Sequence, residues 1–284
     1  MIYDAKIKAV RSDGRIFNYQ SDEWELRKID GLDFSEIETS KQPRGVGEGD
    51  IITGQRRAGR ELTIVSRPLN LENFNLLRSQ AIAFHNSRYI YNVFIDYVGI
   101  KRIMRDCRFT AGNLPTGNVY KGKDLTVQFL SPYSDLFAAD EVGINFSEKQ
   151  ALWKYPHSFI EGKPLMFATE KAVNDKVISY QGSSATQPVI KITALGYAKN
   201  IKIKFGDTVI NINTEIRERD VLLIDCSKSY ATINNEVLPF ENVEYFDFRN
   251  LKIDFGDTLI SVNAEIGGNA IKTEVTYVGR YDGV

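Results

Sequence analysis

One glycine-rich segment has part of the residue pattern of a phosphate-binding loop. Gly117, Gly122 and Lys123 stand where the GxxxxGK[ST] motif places its glycines and its lysine. The next residue is Asp124, although the motif needs a serine or threonine there to bind magnesium, and a carboxylate would repel phosphate. The alternating apolar residues that follow predict a strand, whereas the motif opens a helix. We interpret the segment as a loop before a strand.

The histidines and cysteines also lack the spacing of a metal site or a catalytic pair. His85 stands near the end of a helical pattern, and His157 follows a proline in an irregular segment. Cys107 and Cys226 fall on alternating, strand-like segments, which is typical of half-buried structural residues. We therefore expect no catalytic residue, no metal ion and no cofactor, and the sequence argues against an enzyme.

Arginines cluster around a second glycine-rich segment, residues 45–49. The cluster consists of Arg44, Arg56, Arg57 and Arg60. Acidic residues interleave with them and the chain has a formal net charge of −1, which argues against nucleic-acid binding. Since guanidinium groups suit hydrogen bonds to carboxylates across protein interfaces, two interpretations stay open: a solvated hairpin, or an arm at about 38–60 that contacts a neighbouring chain.

The elements that must position these residues are mostly strands. The chain has 284 residues, 43% hydrophobic and 26% charged, which is enough to bury a core and too apolar for disorder. Apolar and polar residues alternate over five stretches, which predicts a mainly β fold: 3–9, 60–66, 88–98, 100–109 and 123–130. A helical period at about 70–86, with Asn70 as its N-cap, predicts one α-helix.

The second half contains an internal repeat, because residues 201–213 recur with close similarity at 251–263. The pattern predicts two hairpins with Gly206-Asp207 and Gly256-Asp257 as their loops and the aliphatic residues on one face. A further tight turn is expected at Asn234-Asn235. Short strands with turns at this density indicate a β-sandwich.

The expected organisation is two domains, 1–138 and 146–284, joined by a linker at 139–145 that carries acidic residues. The first domain contains 13 of the 17 arginines, and we therefore assign most of the assembly contacts to it. No apolar stretch is long enough to span a membrane. The first residues lack the pattern of a secretion signal, which predicts a soluble protein made in the cytoplasm.

Several segments resemble the distal tail protein (Dit) family of long-tailed, siphovirus-type phages. Gly54-Gln-Arg-Arg-Ala-Gly-Arg60-Glu61-Leu-Thr-Ile64, shortly after Gly49-Asp50, is similar to a glycine-rich segment and strand of that family. Three further stretches agree in order and spacing, and they are 124–133, 182–192 and 276–284.

The resemblance implies a virion protein, made in the host cytoplasm, that forms a typically hexameric ring at the distal end of the tail tube. The first domain would be a β-sandwich or split barrel with one helix and a protruding hairpin arm, and the second a galectin-like or carbohydrate-binding-module-like sandwich. The implied partners are further copies of the chain, the major tail tube protein, and tail-tip, tail-associated lysin or fibre proteins. Genome DNA would only pass through the central channel.

Two expectations follow for individual residues. Arg44, Arg56, Arg57 and Arg60 would lie at the interface between subunits, so replacing Arg57 and Arg60 together by alanine would weaken the ring but leave monomer melting nearly intact. The alternative function is a glycan-binding module that contacts the host surface, because the second domain resembles sugar-binding folds. In that case Trp153 is the candidate for stacking on a sugar.

Overall fold

The chain forms two compact units. The computed structural model describes residues 5–45, 47–70, 72–114, 124–151, 168–243 and 245–284. Unit 1 extends to Ala139 and also contains Arg280–Val284, whereas unit 2 is Asp140–Gly279. The chain is mainly β, as its alternating pattern predicts.

The described residues of unit 1 form ten strands, of which the last continues into unit 2, and one α-helix. The strands are β1 (Ala5–Arg11), β2 (Ile16–Asn18), β3 (Trp24–Asp30), β4 (Ile37–Pro43), β5 (Asp50–Arg57), β6 (Arg60–Pro68), β7 (Ile90–Tyr97), β8 (Ile100–Asn113), β9 (Leu125–Ser131) and β10 (Leu136–Asn145). The helix is α1 (Phe74–Phe84). Seven strands form an antiparallel sheet in the order β2-β1-β7-β8-β9-β6-β3.

The core of unit 1 follows from the alternation along these strands. On β1, Ile7 and Ala9 are buried while Lys6 and Lys8 are exposed, as period 2 requires. The same rule buries the apolar face of β6 and β9. Burial of the large side chains in this cluster provides the main stabilisation of the unit.

The helix begins later than its sequence pattern predicts. Its N-cap is Asn73 rather than Asn70. The Asn70 side chain instead accepts a hydrogen bond from the N–H of Glu72 at 2.9 Å, which stabilises the turn before the helix. Leu77 and Phe84, together with Ala81, form the buried stripe that places the helix on the core.

Unit 2 is built from two larger sheets and one strand pair. Its strands are β11 (Ser147–Ala151), β12 (Ala168–Ala172), β13 (Asp175–Tyr180), β14 (Val189–Ala194), β15 (Ala198–Phe205), β16 (Thr208–Ile216), β17 (Val221–Asp225), β18 (Tyr230–Ile233), β19 (Glu236–Val237), β20 (Gly256–Ile266) and β21 (Ile271–Tyr281). Short 3-10 helices lie at Phe240–Asn242, Tyr245–Asn250 and Gly268–Ala270. The sheet orders are β13-β20-β15-β16 and β19-β18-β17-β14-β21, and residues of both sheets share one hydrophobic core.

The hairpin predicted at Gly206-Asp207 is confirmed, with Ile203 opposite Ile210 as expected. The tight turn at Asn234-Asn235 is confirmed as well, because both asparagines have positive φ and connect β18 to β19. The hairpin predicted at Gly256-Asp257 is wrong. Both residues lie inside β20, which already pairs with β13 on one edge and β15 on the other, so residues 251–255 cannot pair with it.

Residues 139–145, expected to form a linker, are part of the continuous strand β10. The boundary between the compact units falls within this strand, after Ala139. A second difference concerns Arg280–Val284, which the sequence assigned to the second domain. The chain returns to unit 1 at Arg280, close to the end of β21.

The turn between β7 and β8 contains a strained residue. Val98 has φ of 52° in the two-residue loop between the paired residues Tyr97 and Ile100. A β-branched side chain at positive φ costs free energy, whereas asparagine and glycine accept this conformation.

We expect Val98→Asn to raise the free energy of unfolding of unit 1 by about 1 kcal/mol, because it relieves this strain. Urea unfolding in a Trp153→Phe background would measure the change, since the chain has two tryptophans and buried Trp24 then reports on unit 1 alone. The matched control is Val98→Ala, which removes the exposed side chain but keeps a Cβ at positive φ. An equal gain for both variants would contradict the strain argument.

Candidate assembly surface

A two-stranded hairpin, called the arm below, projects from unit 1 at residues 37–57. Within the described part of the chain, β4 and β5 pair only with each other, and every residue of both strands is exposed. Gly47 and Gly49 have φ of 103° and 94° and allow the chain to reverse at the tip. The arm thus has no core of its own, and an isolated hairpin of this kind is marginally stable in water.

The register of the arm places apolar side chains on both of its faces. Lys41 is paired with Ile52 and Ser40 with Gly54, so that Thr53 is the extra residue of a bulge. Alternation on either side of the bulge puts Ile37 and Ile52 on one face and Ile51 on the other. The exposed fractions are 60% for Ile37 and 63% for Ile52. Unpaired strand edges with exposed isoleucines are typical of a surface that another chain covers.

Two of the four arginines singled out in the sequence belong to the exposed part of the arm. Arg44 is exposed beside the tip. Arg56 donates from Nε to Glu38 at 2.6 Å across the hairpin, and this ion pair lies on the surface. Both side chains are accessible to another molecule.

Arg57 lies at the base of the arm and is held by carboxylates of unit 1. Its Nη1 donates to Asp135 at 2.8 Å, and its Nη2 forms an ion pair with Asp282. Arg280 approaches Asp135 with its Nε at 3.2 Å. Asp135 is almost completely buried, so these charges are partly shielded from water.

Arg60 is not part of the arm, because it opens β6 and only 2% of it is exposed. Its guanidinium donates to the backbone oxygens of four residues of its own chain, namely Gly31, Asp33, Ser134 and Asp282. Burial lowers the pKa of Arg60 from its ordinary value. Arg60 is therefore a residue that holds unit 1 together, and we expect its replacement to destabilise the monomer, unlike the expectation from the sequence.

The sequence contains no direct signal for two other features of this region. Asp282 forms an ion pair with Arg57 and accepts a hydrogen bond from Arg60 on its backbone oxygen, although it is more than 200 positions from both in the sequence. Phe34, just before the arm, is 86% exposed, and nothing in its sequence context distinguishes it from a core aromatic residue. The remaining candidate, Trp153, lies outside the described residues.

The residues considered for other chemistry are inert where the structure describes them. Burial raises the pKa values of Cys107 and Cys226 to about 12, so neither is a thiolate nucleophile. No group of three or more histidine, cysteine or acidic side chains in the described ranges could hold a metal ion. None of the described helices is long and apolar enough to cross a membrane.

His85 is buried at the end of the helix, and its hydrogen bonds define the tautomer of its neutral ring. Its Nδ1 is 2.7 Å from the Ala81 oxygen, which can only accept, so Nδ1 carries the proton. Its Nε2 then accepts from the Tyr19 hydroxyl at 2.7 Å. Burial, assisted by the nearby charge of Arg11, lowers the pKa of His85 to about 4. The folded unit therefore favours the neutral imidazole.

We expect unit 1 to lose stability as the pH falls from 6.5 to 4. The unfolded chain takes up a proton on His85 near pH 6.5, whereas the folded chain does so only near its pKa of about 4. The stabilisation is complete above pH 6.5, and about 3 kcal/mol is lost across this window. Urea midpoints from Trp24 fluorescence would measure it. His85→Gln should flatten the profile between pH 6.5 and 4.5, and an unchanged slope in that variant would assign the effect to other groups.

The comparisons with known proteins agree with this architecture. Residues 181–281 match the model of the siphovirus-type tail component, C-terminal domain. No match was found among curated protein sequences. The crystal structure of the SPP1 Dit protein, described as a paradigm of the hub adsorption apparatus in phages that infect Gram-positive bacteria, superposes with a TM-score of 0.69. The alignment covers 96% of this chain and 98% of that one at 11% identity.

Two structures of the phage p2 baseplate in its activated conformation, with Ca and with Sr, also match. Both have 10% identity, cover 96% of this chain and 97% of theirs, and give TM-scores of 0.42 and 0.40. Scores this low do not inform on the fold. The resemblance to Dit proteins indicated by the sequence motifs is confirmed: residues 181–281 match the C-terminal domain of siphovirus-type tail components, and the fold of the chain is similar to that of SPP1 Dit.

Proposed function

We propose that this protein is a structural component of a phage virion that forms a hexameric ring at the distal end of the tail tube. The ring is a hub that joins the major tail tube protein to tail-tip, tail-associated lysin or fibre proteins. DNA passes through its central channel without a dedicated binding site. Unit 2 is a galectin-like sandwich in this proposal, and the protein is made in the host cytoplasm before assembly.

The observation that carries the proposal is the arm. A hairpin with fully exposed strands on a Dit fold is suited to reach a second copy of the chain, where its edges and apolar side chains become covered. The contact is heterologous, because the arm of one copy meets a different surface of the next. Repetition of such a contact produces a closed ring when the rotation between neighbouring copies closes after a whole number of copies.

Exposed apolar residues near the arm are a second source of binding energy between subunits, besides the arginines that the sequence indicates. Phe34 lies three residues before Ile37, the first residue of the arm, and both side chains are exposed. Burial of an aromatic residue within a rim of polar groups is typical of the strongest contacts in protein interfaces. Arg44 and Arg56 provide charged groups at the edge of that surface.

Negative-stain images and native mass spectrometry of the purified full chain test the proposal. We expect rings of six copies, either for the protein alone or together with its tail tube partner. A monomer at high concentration, combined with the absence of the protein from the end of assembled tails, would rule the ring out.

A further inference from the structure

Charged residues from two distant segments meet at the base of the arm. Arg57, the last residue of β5, contacts Asp135 and Asp282. Arg280 contacts Asp135 from the other side at 3.2 Å. The segment Arg280–Val284 therefore supplies both a cation and a carboxylate to the point where the arm joins unit 1.

The chain segments before and after the arm are held at the same place. Arg60 donates to the Asp33 oxygen at 2.7 Å and to the Asp282 oxygen, so one guanidinium links the entry of the arm to the segment Arg280–Val284. The Val284 N–H donates to the Leu32 oxygen at 3.2 Å. The backbone of Gly283 packs so closely here that an added Cβ would lie 3.0 Å from the same oxygen.

An arm without a core needs such contacts to keep one orientation. Its own closing hydrogen bond, from the Ala58 N–H to the Glu36 oxygen at 2.8 Å, fixes the strands to each other. That bond does not fix the hairpin relative to the sheet of unit 1. Ion pairs at the base restrict the swing of the arm and lower the entropy lost when it binds a neighbour.

We propose that Arg280–Val284 is a clamp that fixes the orientation of the arm, with Asp282 and Asp135 as positioning residues for assembly. The link to assembly rests on the proposed ring. The clamp itself is a property of the single chain and can be measured without rings.

Amide hydrogen exchange of the full-length protein, at a concentration where it is monomeric, tests the clamp. Asp282→Asn removes the carboxylate facing Arg57 but keeps the backbone oxygen bound by Arg60, so unit 1 stays folded. We expect trypsin cleavage at Lys41 and Arg44 to accelerate about tenfold, and likewise amide exchange at Arg60, whose N–H donates to the Tyr133 oxygen at 3.1 Å where the chain leaves the arm, since one partly shielded ion pair is lost. Asp135→Asn should have the same direction of effect. The matched control is Glu38→Gln, which removes the ion pair of Arg56 within the arm and should leave exchange at Arg60 unchanged.

The outcomes separate the clamp from the ring. Unchanged exchange at Arg60 in both Asp282→Asn and Asp135→Asn overturns the clamp, whether or not rings form. Faster exchange together with a tenfold weaker ring for Asp282→Asn, and a normal ring for Glu38→Gln, supports the whole proposal. Faster exchange with an unaffected ring overturns the link to assembly. If the unsubstituted protein forms no rings, the proposed function fails while the exchange result still decides the clamp.

Discussion

Arg60→Ala is expected to lower the free energy of unfolding of unit 1 by about 4 kcal/mol, because it leaves buried acceptors without their charged donor. The four backbone oxygens that lose their partner come from three separated parts of unit 1: Gly31 and Asp33, Ser134, and Asp282. Water cannot replace the guanidinium without entering a region where only 2% of the residue is exposed. Urea unfolding with Trp24 as the reporter, in the Trp153→Phe background, would measure the loss.

Two further variants serve as comparisons for the loss of stability expected in Arg60→Ala. Arg60→Lys keeps the charge but cannot reach all four oxygens with one ammonium group, so we expect a loss of roughly half that size. Arg56→Ala removes an exposed arginine of the arm and should leave the urea midpoint unchanged. If Arg60→Ala retains the stability of unit 1 and only weakens the ring, Arg60 is an intersubunit contact, as the sequence alone suggests.

Removal of the arm should abolish ring formation while unit 1 stays folded. Replacing residues 38–56 by a short glycine-serine linker deletes strands that are exposed along their whole length and bury no side chain of the core. The Trp24 urea midpoint should therefore change little. The loss of assembly should exceed 100-fold, because each factor of ten requires only ~1.4 kcal/mol and the arm presents several apolar side chains to the neighbour.

Substitutions within the intact arm distinguish a specific contact from a general effect of deletion. Ile37→Ser plus Ile52→Ser alters one face of the hairpin and should weaken rings at least tenfold. Thr39→Ser plus Gln55→Asn alters the same face with the loss of only one methyl and one methylene group and serves as the control. Rings of normal stability after removal of residues 38–56 would contradict the assembly role of the arm.

Local chemistry determines a large part of this fold from the sequence alone. The turn at Gly206-Asp207 and the turn at Asn234-Asn235 are correct to the residue, because positive φ and the two-residue strand period are properties of neighbouring residues. The helix is correct in existence, but its first turn is displaced because Asn70 caps an earlier turn. The order of the family-like motifs indicates a resemblance to Dit proteins, and residues 181–281 match the C-terminal domain of siphovirus-type tail components.

The tertiary structure decides what local patterns leave open. The repeat at 251–263 has the same turn residues as the first copy, yet it forms no hairpin, because β13 and β15 occupy both edges of β20. Arg60 has the sequence context of an arm residue, and its burial depends on Asp282, 222 positions further along the chain. In both cases the partner is distant in the sequence. It is selected by competition among all strands and charged groups of the folded unit. A sequence pattern encodes the preference of each residue, and only packing of the whole unit determines which partner it obtains.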